Sequence, residues 1–196
     1  DEKIKRKHLT GHYDRFLYFQ GKEFFSMKIW MMTGCSSGLR KQLMPVALDI
    51  TSPQMIEAAV QRIGTHFNTI DGLINNAGYG YRAAIEEGED ATIDTLFQTN
   101  FFGPMRLIRQ VLPIMRKQKS GVIINISSAA AVNTFPGFGY YGASKCALEG
   151  ASSALAKECA PLGIRVLVVE QSEAQLHEEM ARWLKKSRAT AFSSEE

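Results

Sequence analysis

A chain of 196 residues suits one domain and is long enough to bury a sizeable core. Its 23 basic and 20 acidic side chains leave a net charge of +3, too small an excess to argue for nucleic acid, and no apolar run approaches the roughly 18 residues of a membrane span. The three cysteines, Cys35, Cys146 and Cys159, are odd in number and lack metal-ligand spacing; with no secretory signal they read as reduced thiols of a cytoplasmic protein.

Residues 1–26 are rich in charge and aromatics and follow no sustained period. Their basic run, Lys3, Lys5, Arg6 and Lys7, reads as a solvated chain end. Leu17-Tyr18-Phe19-Gln20-Gly21 resembles the end of a protease site used to remove purification tags, and Met27 resembles a natural start. The segment is therefore set aside as a leader or extension, and the domain is placed at 27–196.

From Met27 onward apolar runs alternate with helical patterns. Lys28–Thr33, Met44–Leu48, Gly72–Asn75, Val122–Ser127 and Ile164–Val169 are short and nearly continuous, as strands covered on both faces are. Ser52-Pro53 reads as an N-cap and first helical residue, opening a helix to about Phe67. A longer helix is expected from about Ala91 to Lys117, with Ile93, Phe97, Pro104, Ile108, Val111 and Met115 along one stripe, and a third from about Tyr141 to Ala160. The alternation predicts an α/β fold, a doubly wound parallel sheet. Two joins break it. Only residues 34–42 separate the first two strands, fewer than a parallel crossover needs, and after Glu170 a strand runs straight into a helix-like tail. Segments are expected to be absent after Arg40 and after Glu170.

Several residues then suggest chemistry. Thr33-Gly34-Cys35-Ser36-Ser37-Gly38 lies where a strand gives way to a helix, so its glycines allow either a plain turn or close approach to a pyrophosphate. Asp49 closes the next strand, as an acceptor near an adenine or as a loop carboxylate before a cap. Asn75-Asn76-Ala77-Gly78 can pin neighbouring loops through amide hydrogen bonds. Asn100 falls on the apolar stripe, either a satisfied structural amide or part of a water-linked proton path. Tyr141 and Lys145 lie four apart at the head of a helix and share a face; a nearby ammonium stabilises a phenolate and suits a tyrosine to acid–base work. Ser128 ends a strand thirteen residues before Tyr141, with its hydroxyl available to a substrate oxygen, while Ser127 points to the other face if the strand still alternates.

In this order and context the motifs resemble those of the short-chain dehydrogenase/reductase family, in its bacterial single-domain form. The phrases Asn125-Ile126-Ser127-Ser128 and Tyr141-Gly142-Ala143-Ser144-Lys145 are especially similar. The resemblance implies an oxidoreductase moving a hydride between NAD(P)(H) and a small-molecule alcohol or carbonyl, with NAD or NADP left open. Gly34, Ser36, Ser37 and Gly38 would line the pyrophosphate turn; Asp49 would contact adenine, and Asn76, Ala77 and Gly78 the adenosine side. Tyr141 would be the acid–base, Lys145 would hold the nicotinamide ribose, Ser128 would orient substrate and Asn100 would support a water leading to Lys145. A homodimer or homotetramer is implied too. The departures are Arg40 where the family's turn has a third glycine, and a missing second strand and substrate loop. A non-catalytic nucleotide-binding or scaffold protein of the same fold is the alternative.

Overall fold

The computed structural model describes residues 15–19, 29–34, 46–134 and 136–170. Its strands are β1 (Arg15–Phe19), β2 (Trp30–Met32), β3 (Val46–Ala47), β4 (Gly72–Asn75), β5 (Gly121–Ser127) and β6 (Ile164–Glu170), and its helices are α1 (Pro53–Phe67), α2 (Asp90–Phe97), α3 (Gly103–Gln118) and α4 (Gly139–Cys159). The strands form one sheet in the order β3-β1-β2-β4-β5-β6.

From β2 through β6 neighbouring strands are parallel, as continuous apolar runs predict. Side-chain alternation divides the core in two. On one face Ile29, Met31, Leu73 and Ile123 pack with Ile56 and Ile63 of α1 and Leu107, Val111 and Met115 of α3. On the other, Trp30, Met32, Ile74, Val122 and Ile124 form a second cluster. Gly72 makes room there, since a Cβ at that position would stand 2.1 Å from the Trp30 ring.

β1 comes from the segment set aside as a leader. It pairs antiparallel with β2 on one side and β3 on the other. β2 and β3 therefore run in the same direction with one strand between them. The joins expected to lack segments, after Arg40 and after Glu170, fall on or border residues 35–45 and 171–196, outside the described residues.

α1 begins as its sequence dictates. Ser52 Oγ accepts the Met55 N–H at 3.3 Å, and Pro53 occupies the first turn, where no intrahelical donor is needed. Ile56, Ala59, Val60 and Ile63 supply its buried face.

The single helix expected from Ala91 to Lys117 is not continuous. A π turn, Gln98–Phe102, joins α2 to α3. Pro104 explains its position, because proline has no N–H for the Asn100 carbonyl and its ring would crowd that carbonyl in an α-helix. Instead the Gly103 N–H reaches back five residues to the Gln98 carbonyl. Gly103 must be small: a Cβ there would lie 2.7 Å from Ile50 Cγ1 and 2.8 Å from the Ile50 carbonyl oxygen.

Candidate active site

The carboxyl ends of β2, β4 and β5 border one crevice, the place where open parallel sheets bind ligands. Thr33 ties the first two together. Its Oγ1 accepts the backbone N–H groups of Asn76 at 3.0 Å and Ala77 at 2.9 Å. Asn76 answers with its Nδ2, which donates to the carbonyls of Thr33 and Gly34, both at 3.2 Å. The asparagine pins the neighbouring loop, as the motif suggests. Gly34 has φ +75°, and a Cβ would sit 2.9 Å from the Ala77 backbone, so only glycine fits this turn without strain.

Asn100 lies in the π turn and is 0 % exposed. Its Oδ1 accepts the Tyr79 N–H at 3.1 Å, and its Nδ2 donates to the Tyr79 carbonyl at 3.0 Å and to Ser144 Oγ at 3.1 Å. The amide is thus satisfied and holds the loop after Gly78 against α4. Gly78 itself is exposed, and a Cβ there would stand 3.1 Å from Asn100 Oδ1 and 3.4 Å from Lys145 Nζ. Asn100, Gly78 and Lys145, distant in sequence, therefore meet at one point.

Lys145 is 6 % exposed, and its Nζ donates to the Ile126 carbonyl at 2.8 Å. Burial lowers its pKa to about 8. The amine lies 5.9 Å from the centroid of the Tyr141 ring, one helical turn back on α4. The Tyr141 ring in turn meets Phe138 edge-on at 6.3 Å. Ile126 takes one of the three ammonium donors, leaving two for a ligand.

Ser128 follows β5 directly. It caps a short 3-10 turn, its Oγ accepting the Ala130 N–H at 3.3 Å, which leaves its own O–H free to donate. That turn packs on Gly142, where a Cβ would lie 2.7 Å from the Ala130 carbonyl oxygen and 2.5 Å from Thr134 Oγ1. So Gly142, beside Tyr141, is small for the chain's own loop. Ser127 turns away to α4, where its hydroxyl donates to the Glu149 carboxylate.

Asp49 lies at the far end of the crevice, beyond β3. Its Oδ1 accepts from the backbone N–H of Thr51 at 2.8 Å and from Thr51 Oγ1 at 2.7 Å, the local turn that precedes α1. Ser36, Ser37 and Gly38, the rest of the expected pyrophosphate turn, lie outside the described residues.

Tyr79 and Glu149 escaped the sequence reading, and Thr33 and Ser144 entered it only inside motifs, with no role given to either. Ser144 is a hydroxyl inside a helix between Tyr141 and Lys145; its Oγ donates to the Tyr141 carbonyl at 2.7 Å while accepting from Asn100. Among the described residues no group of His, Cys, Asp and Glu is placed to hold a metal ion, and no helix is long and apolar enough to cross a membrane.

The family model for short chain dehydrogenases matches residues 31–181. The chain belongs to this family. Among curated members it is similar to a 3-ketodihydrosphingosine reductase of Bacteroides thetaiotaomicron, 41 % identical over 128 residues that cover 65 % of this chain and 48 % of the reductase. Among solved structures it is similar to an NAD+-bound xylitol dehydrogenase (TM-score 0.62, 30 % identity, covering 64 % of this chain and 48 % of that one). It is also similar to a metagenomic short-chain oxidoreductase in complex with NADP (TM-score 0.62, 32 % identity, 65 % and 58 % covered). The chain spans about half the length of the curated relatives it matches. The parallel sheet flanked by helices is thus that of a short-chain dehydrogenase fold.

Proposed function

We propose that the chain is an NAD(P)(H)-dependent oxidoreductase acting on a small-molecule alcohol or carbonyl, with Tyr141 as its acid–base. One observation carries the reading: Asn100 Oδ1 and Lys145 Nζ both lie within 3.4 Å of the point where a side chain at position 78 would begin. Only a glycine leaves that point open beside a buried amine. The residues fit a dinucleotide of this kind. Gly34 and Gly78 keep the crevice clear of side chains at two strand ends, and Lys145 has donors to spare for a ribose. Relatives bound to NAD+ and to NADP support the cofactor class and leave the choice between the two open.

When bound, the nicotinamide supplies or accepts the hydride. In reduction the Tyr141 hydroxyl gives its proton to the carbonyl oxygen, and in oxidation it takes the proton back. The Lys145 ammonium offers its charge to the phenolate left behind. With a pKa near 8, Lys145 is still mostly protonated at neutral pH yet close enough to release a proton onward. Ser128 donates its free O–H to the substrate oxygen and holds it for Tyr141. Asn100 fixes the Tyr79 backbone and so keeps room for a water beside Lys145.

Tyr141→Phe tests this. Turnover should fall by about 10² to 10⁴, the range of a lost general acid. Binding of NADPH or NADH, read by cofactor fluorescence, should stay within a few-fold. Retained turnover in the variant excludes Tyr141 as the acid–base. The second reading is a nucleotide-binding or scaffold protein of the same fold without catalysis. Cofactor binding with no turnover of any aldehyde, ketone or alcohol offered would support it.

The proposal extends to a homodimer or homotetramer. On α4 the exposed Ala143 and Gly150 would let a second helix approach, and a Cβ at Gly150 would meet nothing within 4 Å. Light scattering at micromolar concentration should give at least twice the chain mass. The free thiols of Cys146 and Cys159 support residence in a reducing cytoplasm.

A further inference from the structure

Three consecutive residues at the end of β5 are each tied to α4. Asn125 Nδ2 donates to Ser152 Oγ at 2.8 Å. The Ile126 carbonyl accepts from Lys145 Nζ at 2.8 Å. The Ser127 hydroxyl donates to the Glu149 carboxylate. The second tie belongs to the amine already described, and the first is a wholly buried structural pair. The third has no part in binding cofactor, orienting substrate or passing a proton.

Its location gives it one. Ser127 is 3 % exposed and stands between Ile126, which anchors the Lys145 amine, and Ser128, which would hold the substrate oxygen. Glu149 lies four residues beyond Lys145, itself four beyond Tyr141, so all three share one stripe of α4. The Glu149 side chain supplies the acceptor that this buried hydroxyl needs. Without it, a buried serine O–H must find another partner, and the strand end would move to provide one.

We propose that Glu149 is a positioning residue: by accepting the Ser127 hydroxyl it fixes the backbone at 126–128 and so sets both Lys145 Nζ and Ser128 Oγ. The role of Ser128 here rests on the function proposed above; that of Lys145 does not. Glu149 acts through the hydrogen bond and not through its charge. Burial alone accounts for the lowered pKa of Lys145, whose surroundings are Tyr141 on its own helix, Asn100 of the π turn, Gly78 and the Ile126 carbonyl.

The test uses the whole chain with Glu149→Ala, Ser127→Ala, the double variant, and the conservative Glu149→Gln and Ser127→Thr, which keep an acceptor and a hydroxyl. One readout needs neither cofactor nor substrate. Pulse acetylation across pH, with the Lys145 peptide followed by mass spectrometry, should give a midpoint of about 8 in the parent. In Glu149→Ala and Ser127→Ala a loosened strand end admits water to Nζ, and the midpoint should climb by about one pH unit toward the ordinary lysine value. The double variant should match either single one, and the conservative variants should match the parent.

The second readout is steady-state turnover. Each alanine variant should lose about tenfold in kcat with KM within about twofold, and the double variant should lose no more. A Lys145 midpoint that stays in place in Glu149→Ala overturns the proposal. So do kcat losses that multiply in the double variant. If Glu149→Ala does not fold by circular dichroism, Ser127→Ala against Ser127→Thr decides on the same midpoint. A parent that turns over no carbonyl compound sinks the proposed function, while the Lys145 titration still judges Glu149.

Discussion

Replacing Lys145 with methionine removes a buried ammonium and keeps nearly the same length of side chain. Lys145 is 6 % exposed, and its pKa falls from 10.5 to about 8 on burial. Below pH 8 both folded and unfolded chains hold this proton, and the folded state bears the full cost of a desolvated charge. Between about 8 and 10.5 the unfolded chain holds more of the proton, so stability rises with pH through that window and levels off above it. At 1.36 kcal/mol per pH unit the rise is about 3 kcal/mol. Methionine has no such dependence, but it gives up the bond to the Ile126 carbonyl, worth about 1 kcal/mol. Lys145→Met should therefore be more stable than the parent by about 2 kcal/mol at pH 7 and less stable by about 1 kcal/mol near pH 10.5. Urea titrations of both proteins at pH 7, 8, 9 and 10, followed by circular dichroism, read this directly. With a slope near 2 kcal/mol per M, the midpoint difference should start at about 1 M at pH 7 and fall to nearly zero by pH 10. Other titrating groups cancel in the comparison. A stability difference that stays constant across this range would refute the reasoning, because the amine would then not be paying for its burial.

Two further substitutions test the frame around the site. Gly72→Ala would force a Cβ against the Trp30 ring, 2.1 Å away, and should destabilise by about 1–3 kcal/mol with a visible change in tryptophan fluorescence. A parent-like spectrum and urea midpoint would mean that the ring does not lie over the glycine. Asn100→Ala strips partners from the Tyr79 N–H and carbonyl and from Ser144 Oγ. It should cost about 1–3 kcal/mol and speed amide exchange at Tyr79; an unchanged exchange rate there would argue against the bond.

The sequence made the repeating parts legible. β4 has the expected bounds, β5 begins one residue early at Gly121, and α1 starts from the Ser52-Pro53 signal. These follow from local rules: apolar continuity for buried parallel strands, and a side-chain acceptor followed by proline for a helix start. The π turn was not legible, because an apolar stripe drifts little over one turn, and the Gly103-Pro104 pair that requires the extra residue looks like an ordinary helix interruption. β1 was missed because a five-residue antiparallel strand in a charge-rich segment has no period of its own. At the site, Tyr141 and Lys145 were legible because helical spacing alone brings them to one face. The partners of Asn100 were not, since its amide binds a backbone 21 residues away. Nor was the Ser127–Glu149 tie, which joins residues 22 apart on a strand and a helix whose relative placement no local rule fixes.

What those unread contacts share is polarity in a buried place. Thr33, Asn75, Asn100, Asn125, Ser127, Ser144, Lys145 and Ser152 are all buried, and all sit at the ends of β2, β4 and β5 or on the helical residues facing them. Elsewhere the core is apolar, mostly Ile, Leu, Val and Met with Trp30, Cys159 and a few alanines. The division has a physical cause. Apolar side chains of similar volume can exchange with modest loss, so an apolar core secures stability without fixing any one atom closely. A buried hydrogen bond tolerates little displacement, because a donor drawn away from its acceptor has no water to turn to. Asn75 marks the limit of this strip: its Nδ2 donates to Asn125 Oδ1 at 2.7 Å, yet its own Oδ1 finds no partner among the described residues. The polar strip is thus an inferior way to stabilise a sheet and a good way to hold an amine, a phenol and a hydroxyl at fixed separations. That is the demand of the proton transfer proposed here, and it accounts for most of the buried polarity gathering on this edge of the fold; Thr99, in the π turn, donates instead to the Thr95 carbonyl of the preceding helix.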